Sequence, residues 1–285
     1  MSESAKKPPL KWDVLVTKRP GLGRDVPPGK EELLWVANSA TLISGERDAV
    51  LVDTFLTVEH SRILADWVIA SGKTLTAIYI THAHGDHFFG LPILLDYFTQ
   101  AKAVASPTVV QAMQQCISPE YVDKFWRELF PHQIAEHLTT AEELKGSEIV
   151  LEGHRLVVLD VGHTDTAHTT SLHVPSIGLI VAGDAVYNGI HPSLADTTVE
   201  SRLRWIAALN AIEALGPRAV VAGHKVPGND DNPRIIGETR SYIRDFARLE
   251  EVTTSARELY ENMIELYPDL VNPGSLWRSA RAAKE

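Results

Sequence analysis

The stretch Leu75-Thr76-Ala77-Ile78-Tyr79-Ile80-Thr81-His82-Ala83-His84-Gly85-Asp86-His87 decides how this chain is read. Its first half is apolar and rich in β-branched and aromatic side chains, the composition of a buried strand. Its second half packs three imidazoles and a carboxylate into six consecutive residues, His82 to His87. A strand that runs into His and Asp puts nitrogen and oxygen donors at a strand end, and such donors suit zinc and other first-row divalent ions. Alternation places His82 and His84 on one side of an extended chain. Gly85 then permits a bend, after which Asp86 and His87 can face a second ion.

Three further apolar runs end in the same way. Val157–Val161 leads through Gly162 into His163, Leu179–Ala182 through Gly183 into Asp184, and Ala219–Ala222 through Gly223 into His224. A glycine before each polar residue lets the backbone leave the strand sharply. One such ending is an ordinary polar loop. Three beside the His/Asp cluster make a metal constellation.

Outward from these motifs the chain alternates strands and helices. Residues 1 to about 10 read as a flexible tail, and Lys18 to Lys30 as a Pro/Gly-rich loop. Strands are expected at Leu33–Ala37, Ala40–Ser44 and Ala49–Asp53, with a turn at residues 45–48. Ile63, Leu64, Trp67 and Val68 give residues 59–70 a helical face that stops at Gly72. After the cluster a helix is expected over Phe88–Phe98, then a strand at Ala101–Ala105. Residues 107–146 read as an irregular helical insert. Strands return at Glu148–Leu151, Leu156–Val161, Thr170–Val174 and Gly178–Ala182, followed by a helix at Val199–Leu215 and a strand at Ala219–Ala222. From about Asn232 to Leu266 the pattern is helical and rich in i, i+4 charge pairs. The order predicts one α/β domain over residues 1–285, a four-layer αββα sandwich with a helical insert and C-terminal helices over 236–285.

Composition bounds the chemistry. With 27 basic against 37 acidic side chains the net charge is −10, which opposes binding to a phosphate backbone, so nucleic acid is not the expected partner. A single cysteine, Cys116, excludes an intrachain disulfide and the multi-cysteine zinc patterns, and reads as a small buried hydrophobe. The first ten residues lack the apolar core of a signal peptide, and no run approaches the roughly 20 apolar residues of a membrane helix. A cytoplasmic protein with no membrane partner is the expectation.

Thr81-His82-Ala83-His84-Gly85-Asp86-His87, Gly162-His163-Thr164, Gly183-Asp184 and Gly223-His224, in that order, resemble the metallo-β-lactamase superfamily over roughly residues 32–235. The resemblance implies an αββα sandwich with the site along one edge of its sheets. It implies that His82, His84 and His163 hold one metal, that Asp86, His87 and His224 hold the other, and that Asp184 bridges them. Asp53 matches a strand-end Asp that orients a ligand imidazole. Two Zn2+ ions, or manganese or iron, would share a water and lower its pKa toward 7, with the second ion polarising a carbonyl. In this scheme Asp86, Asp184 and Tyr187 serve catalysis, and no protein nucleophile is needed.

Departures from the family pattern narrow the branch. No Cys stands at a ligand position, and a bridging Asp is generally absent from true β-lactamases. Asp184 therefore points to the branch of glyoxalase-II-like thioesterases, lactonases and phosphodiesterases. Residues 164–171 lack the glycine common in the glyoxalase-II-like members. Asp184-Ala185-Val186-Tyr187 is similar to the Asp-x-x-Tyr of acyl-homoserine-lactone lactonases, where the phenol meets the substrate; packing beneath the site loop is the other reading of Tyr187. A metal-dependent hydrolase of a small-molecule lactone or carboxylic ester is expected. A thioesterase, a β-lactam hydrolase and an iron-dependent persulfide dioxygenase are the alternatives. His168 could donate a proton or pair with a carboxylate, and Lys225 could attract a substrate carboxylate or stay solvated. Phe125, Trp126, Phe130 and His132 could wall the site or pack a helix. The C-terminal helices would close this pocket or form a homodimer contact.

Overall fold

The computed structural model describes residues 8–22 and 25–285, so most of the expected N-terminal tail lies outside the described residues. Leu10, at its end, is buried. The chain is mixed α/β and divides into two compact units woven from alternating segments. One comprises residues up to Leu15 with Ala40–Leu159 and Ser171–Val181; the other comprises Val16–Ser39, Asp160–Thr170 and Ala182–Glu285. Strand β1 is Lys11–Pro20, which absorbs the start of the expected loop, and β2 is Trp35–Ser44.

In the first unit β2 pairs antiparallel with β3 (Asp48–Val52), as the hairpin turn predicts. Parallel pairing then runs from β3 to β4 (Thr74–Tyr79), β5 (Lys102–Ala105) and β6 (Glu142–Glu143). Both faces of a parallel sheet are covered, as in the buried runs Ala49–Val52 of β3 and Ala77–Tyr79 of β4, while Thr74 and Thr76 at the start of β4 are exposed. Helix α1 (Val58–Ala70) is the crossover between them, capped by the Thr57 hydroxyl, which accepts from the His60 N–H. Leu64, Ala65 and Val68 form its buried face, whereas Ile63 is exposed.

The expected helix over 88–98 is two pieces, α2 (Gly85–Phe88) and α3 (Leu91–Tyr97). Pro92, which lacks an N–H, cannot continue the first turn and instead starts the second. Gly90 sits in the break, where a Cβ would lie 2.6 Å from Ser61 Oγ and 3.0 Å from the Phe55 carbonyl. The insert is helical only in its first half: α4 (Pro107–Cys116), α5 (Pro119–Tyr121) and a π-helical turn over Val122–Arg127. Hairpin β7 (Glu148–Leu151) with β8 (His154–Gly162), and β9 (Thr169–Val174) against the start of β10 (Leu179–Asn188), also belong to this unit.

In the second unit β11 (Ala219–Lys225) runs antiparallel to the first half of β2, with His224 opposite Asn38. The expected break in β2 at Asn38-Ser39 does not occur. Both polar side chains are buried, and the Ser39 hydroxyl donates to the Ala222 carbonyl at 2.6 Å. Helix α6 (Val199–Ala214) opens with a reciprocal cap between Thr198 and Ser201, and its Trp205 is fully buried with Nε1 donating to the Ala185 carbonyl at 2.8 Å. The expected C-terminal helical run is α7 (Arg234–Val252) and α8 (Ala256–Leu266), separated at Thr253 and restarted by the Ser255 cap; α9 (Pro273–Lys284) follows. Among the described residues no helix is long and apolar enough to cross a membrane.

Candidate metal centre

In the first unit the cluster follows β4 directly and is organised by Asp53, the residue after β3. Asp53 has a left-handed backbone (φ 62°), a conformation that costs about 1–3 kcal/mol in a non-glycine residue. That backbone comes with four contacts in the cluster's own segment. Oδ1 accepts the Thr81 N–H at 2.8 Å, and Oδ2 accepts the Thr81 hydroxyl at 2.8 Å and faces His87 Nδ1 at 3.1 Å. The fourth is indirect, through the Thr81 oxygen, which lies 3.0 Å from His82 Nδ1.

Because the Thr81 hydroxyl donates to Asp53, its oxygen receives the His82 Nδ1–H. Both His82 and His87 are thereby fixed in the tautomer whose Nε2 carries the lone pair, the form that ligates a metal. Asp53, His82 and His87 present donor atoms within 4.8 Å of one another, and all three are buried. The His82 ring lies 4.2 Å from that of His87 and 4.9 Å from that of His84. Asp86, 5% exposed, offers a carboxylate oxygen within the same reach of a His87 ring nitrogen.

The chain bends at Gly85 as expected, from extended backbone at His84 into a helix, and does so without a left-handed glycine. Gly85 opens α2, and a Cβ there would lie 2.8 Å from the Phe89 ring. Phe89 in turn packs edge-on to Trp126 at 5.8 Å, and Trp126 stacks with Phe130 at 6.2 Å. Trp126 and Phe130 are buried core side chains, and Phe125 packs edge-on to Trp126 at 5.0 Å. His132 is exposed.

In the second unit Asp184 and His224 lie within β10 and β11 rather than after them. The strand continues through Gly183 with a left-handed backbone (φ 55°), which re-aims the next side chain without ending the strand. Asp184 is 1% exposed, and its Oδ2 lies 3.0 Å from His224 Nε2 and accepts the Tyr187 hydroxyl at 3.2 Å. Tyr187 stacks on the His224 ring at 5.6 Å and is itself buried. Burial, with Asp184 and then Asp165 nearby, pushes the Tyr187 hydroxyl well above its ordinary range, so it stays a protonated donor. A cavity of about 160 Å³ is lined by Tyr187, Ile190, Tyr242, Tyr267 and Leu270.

His224 Nδ1 is 3.2 Å from the Ala37 carbonyl, which can only accept. Nε2 then faces the Asp184 carboxylate at 3.0 Å, and in a neutral ring both are acceptors. Such a contact calls for a cation between them or for an imidazolium. In each unit taken by itself, the donors are imidazole nitrogens and carboxylates, which fit a divalent first-row ion.

Other expected residues are placed differently. The His163 ring nitrogen Nε2 lies 2.9 Å from the Asp196 carbonyl. His168 is exposed with φ 61°. Lys225 is neither solvated nor open to a substrate; it is 4% exposed and paired with Asp231. Cys116 is half-buried, and burial raises its thiol pKa. Asp165, which sequence reasoning passed over, is fully buried; its Oδ1 accepts the Thr164 hydroxyl at 3.0 Å, and its carboxylate lies within 4.8 Å of that of Asp184. The signal for it was a lone carboxylate inside the Thr-rich run 164–171.

The model of the metallo-β-lactamase superfamily matches residues 33–224, well over half of the chain. Among solved structures, a metallo-β-lactamase family protein from Thermus thermophilus is similar at a TM-score of 0.63 and 19% identity, covering 94% of this chain and 91% of that one. A metallo-β-lactamase from Pontibacter korlensis (TM-score 0.59, 16% identity) covers 82% of this chain and 99% of its own. The FIM-1 metallo-β-lactamase from Pseudomonas aeruginosa, solved in a mono-zinc form, gives a TM-score of 0.58 at 16% identity, covering 84% of this chain and 96% of that one. No curated protein matches the chain. These likenesses bear out the expected α/β fold class, and with the matched segment they lead to one statement: the chain belongs to the metallo-β-lactamase superfamily.

Proposed function

We propose that this protein is a metal-dependent hydrolase that opens a small-molecule lactone or carboxylic ester, with zinc as its ion and manganese or iron as substitutes. The observation that carries this reading is Asp184, a buried carboxylate within hydrogen-bond distance of both His224 and the Tyr187 hydroxyl, at the position where the motif order puts a bridging ligand. By that order the donors are His82, His84, Asp86, His87, His163, Asp184 and His224. Bound in such a set, divalent ions acidify water and draw charge from a carbonyl oxygen.

The chain's own groups do the rest. Asp53 and Thr81 hold the His82 and His87 rings by their Nδ1 atoms, so that neither ring turns or changes tautomer. The Ala37 carbonyl does the same for His224. Tyr187, kept protonated by its burial, donates to one Asp184 oxygen and fixes the plane of that carboxylate. Asp184 and Asp86 are buried, which strengthens their electrostatic effect on a neighbouring cation.

The test is a panel of lactones, acyclic esters, thioesters, β-lactams and phosphodiesters, each assayed with the zinc-, manganese- and iron-loaded protein. Turnover is expected to be fastest on a lactone or ester, and to vanish with a chelator. A β-lactam or thioester turned over faster, or oxygen consumed with a persulfide by the iron form, would contradict it.

A further inference from the structure

We propose that the cavity at the end of β10 binds a small organic cation, a methylated ammonium group, through the rings of Tyr187, Tyr242 and Tyr267 and the carboxylate of Glu238. The cavity measures about 160 Å³, and Thr239, Ile190 and Leu270 also line it. Every lining residue belongs to the second unit. Helix α7 presents Glu238, Thr239 and Tyr242 on one face and packs on β10 through Thr239. The Thr239 hydroxyl accepts the Tyr187 N–H at 3.1 Å and donates to the Tyr187 carbonyl at 3.3 Å. The Tyr242 and Tyr267 rings lie 4.9 Å apart and are inclined at 51°, so they are splayed rather than stacked flat.

The lining chemistry selects the ligand. Each phenol is already engaged: Tyr187 donates to Asp184 at 3.2 Å, Tyr267 donates to Asp245 at 2.8 Å, and Tyr242 is hydrogen-bonded to His191 Nδ1 at 3.0 Å. With Thr239 engaged as well, the lining side chains keep no donor for a carbonyl, a carboxylate or a phosphate. They offer aromatic surface and one carboxylate instead. The face of an aromatic ring is negative and attracts a cation within about 6 Å of its centroid. A phenol that donates to a carboxylate, as two of these do, has a more electron-rich ring. A cation without N–H groups gives up no hydrogen bonds on entering such a lining, which favours a methylated ammonium over a primary amine. The imidazole behind Tyr242 does not oppose it, because burial and then Lys30 lower the His191 pKa from 6.5 to about 3 and leave the ring neutral. The nearby cations have partners of their own. Arg234 reaches Glu238 at 3.4 Å but Asp230 at 2.8 Å, Arg248 pairs with Asp245 at 3.0 Å, and Lys30 donates to the Pro268 carbonyl at 3.3 Å.

The test is titration calorimetry on the full chain, with zinc and in chelator, using choline and its neutral isostere with tert-butyl in place of trimethylammonium. Choline should bind roughly tenfold more tightly than the isostere, the margin of a desolvated cation–π contact. Glu238 is exposed, so Glu238→Gln keeps the fold and should weaken choline several-fold while leaving the isostere unchanged. Tyr267→Leu, which keeps bulk but not the aromatic face, should remove most of the preference for choline. Leu270→Trp, which fills the cavity, should abolish binding of both, with thermal melts showing that each variant is folded. Equal affinity for the two ligands, or choline binding that Glu238→Gln and Leu270→Trp leave unchanged, overturns the inference, as does a wild type that binds neither. No metal takes part, so choline bound in chelator supports this site even where the hydrolase reading fails, and hydrolysis without choline binding sinks this site alone.

Discussion

At the scale of single residues the site is governed by which end of each imidazole is already spoken for. His82 and His87 are tied through Nδ1 to Asp53, directly or through Thr81, and His224 through Nδ1 to the Ala37 carbonyl. Tyr187 has a comparable role toward Asp184, and its hydroxyl points to that carboxylate rather than to open space. Tyr187→Phe should therefore lower kcat several-fold on lactones and acyclic esters alike, with KM little changed, since the lost bond acts through Asp184. Steady-state kinetics on both substrate types checks this, and a loss confined to lactones would put the phenol on the substrate instead. How far single residues were legible follows the same logic. Imidazoles and carboxylates crowded after an apolar run could be read from spacing, and so could Asp53 at the end of one. The partner of Lys225, the inward turn of Asp165 and the contact of His163 with Asp196 depend on how loops fold back, which spacing does not encode.

At the scale of elements the strands outrun their apolar cores. Asp184 and His224 look terminal in sequence because polarity changes there, yet backbone pairing carries β10 to Asn188 and β11 to Lys225. A buried polar side chain is tolerated in mid-strand when it is hydrogen-bonded, as Ser39 and Asn38 in β2 also show. Helix starts were more legible at residues 58 and 107, where Thr57 and Ser106 cap their helices, whereas the helical pattern ran on through Ser255, which caps α8. One clasp between hairpins was not. The carboxylate of Glu152, in the turn between β7 and β8, accepts the backbone N–H groups of Glu46, Arg47 and Asp48 at 2.7–2.9 Å.

Those bonds, chiefly the ones to Arg47 and Asp48, lower the Glu152 pKa from 4.5 to about 2. Above about 4.5 the carboxylate is ionised in both folded and unfolded chains and its stabilisation is complete; as pH falls toward 2 the unfolded chain takes the proton first and the stabilisation is lost. Glu152→Gln should thus melt below wild type at pH 6, with the gap closing steadily between pH 4.5 and pH 3. Thermal melts across that range test it, and a gap independent of pH would show that the charge is not the source.

At the scale of the whole molecule, the alternation of strands and helices sufficed to predict the α/β class that the family match bears out. It did not reveal how the chain threads. Each compact unit is assembled from several separate stretches, and β1, β2, β8, β9 and β10 each contribute to both. Each unit carries its own organised donor set: the Asp53–Thr81–His82–His87 group in one, the Asp184–Tyr187–His224 group in the other. The central claim is that these donors make a catalytic metal protein. The most direct measurement is to titrate zinc into chelator-stripped protein while recording bound ions and lactone opening on the same sample. The expected result is no turnover without metal and a rate that climbs with occupancy to a plateau at two ions per chain. Full turnover in the stripped protein, or zinc bound tightly with no hydrolysis of any lactone or ester, would contradict it.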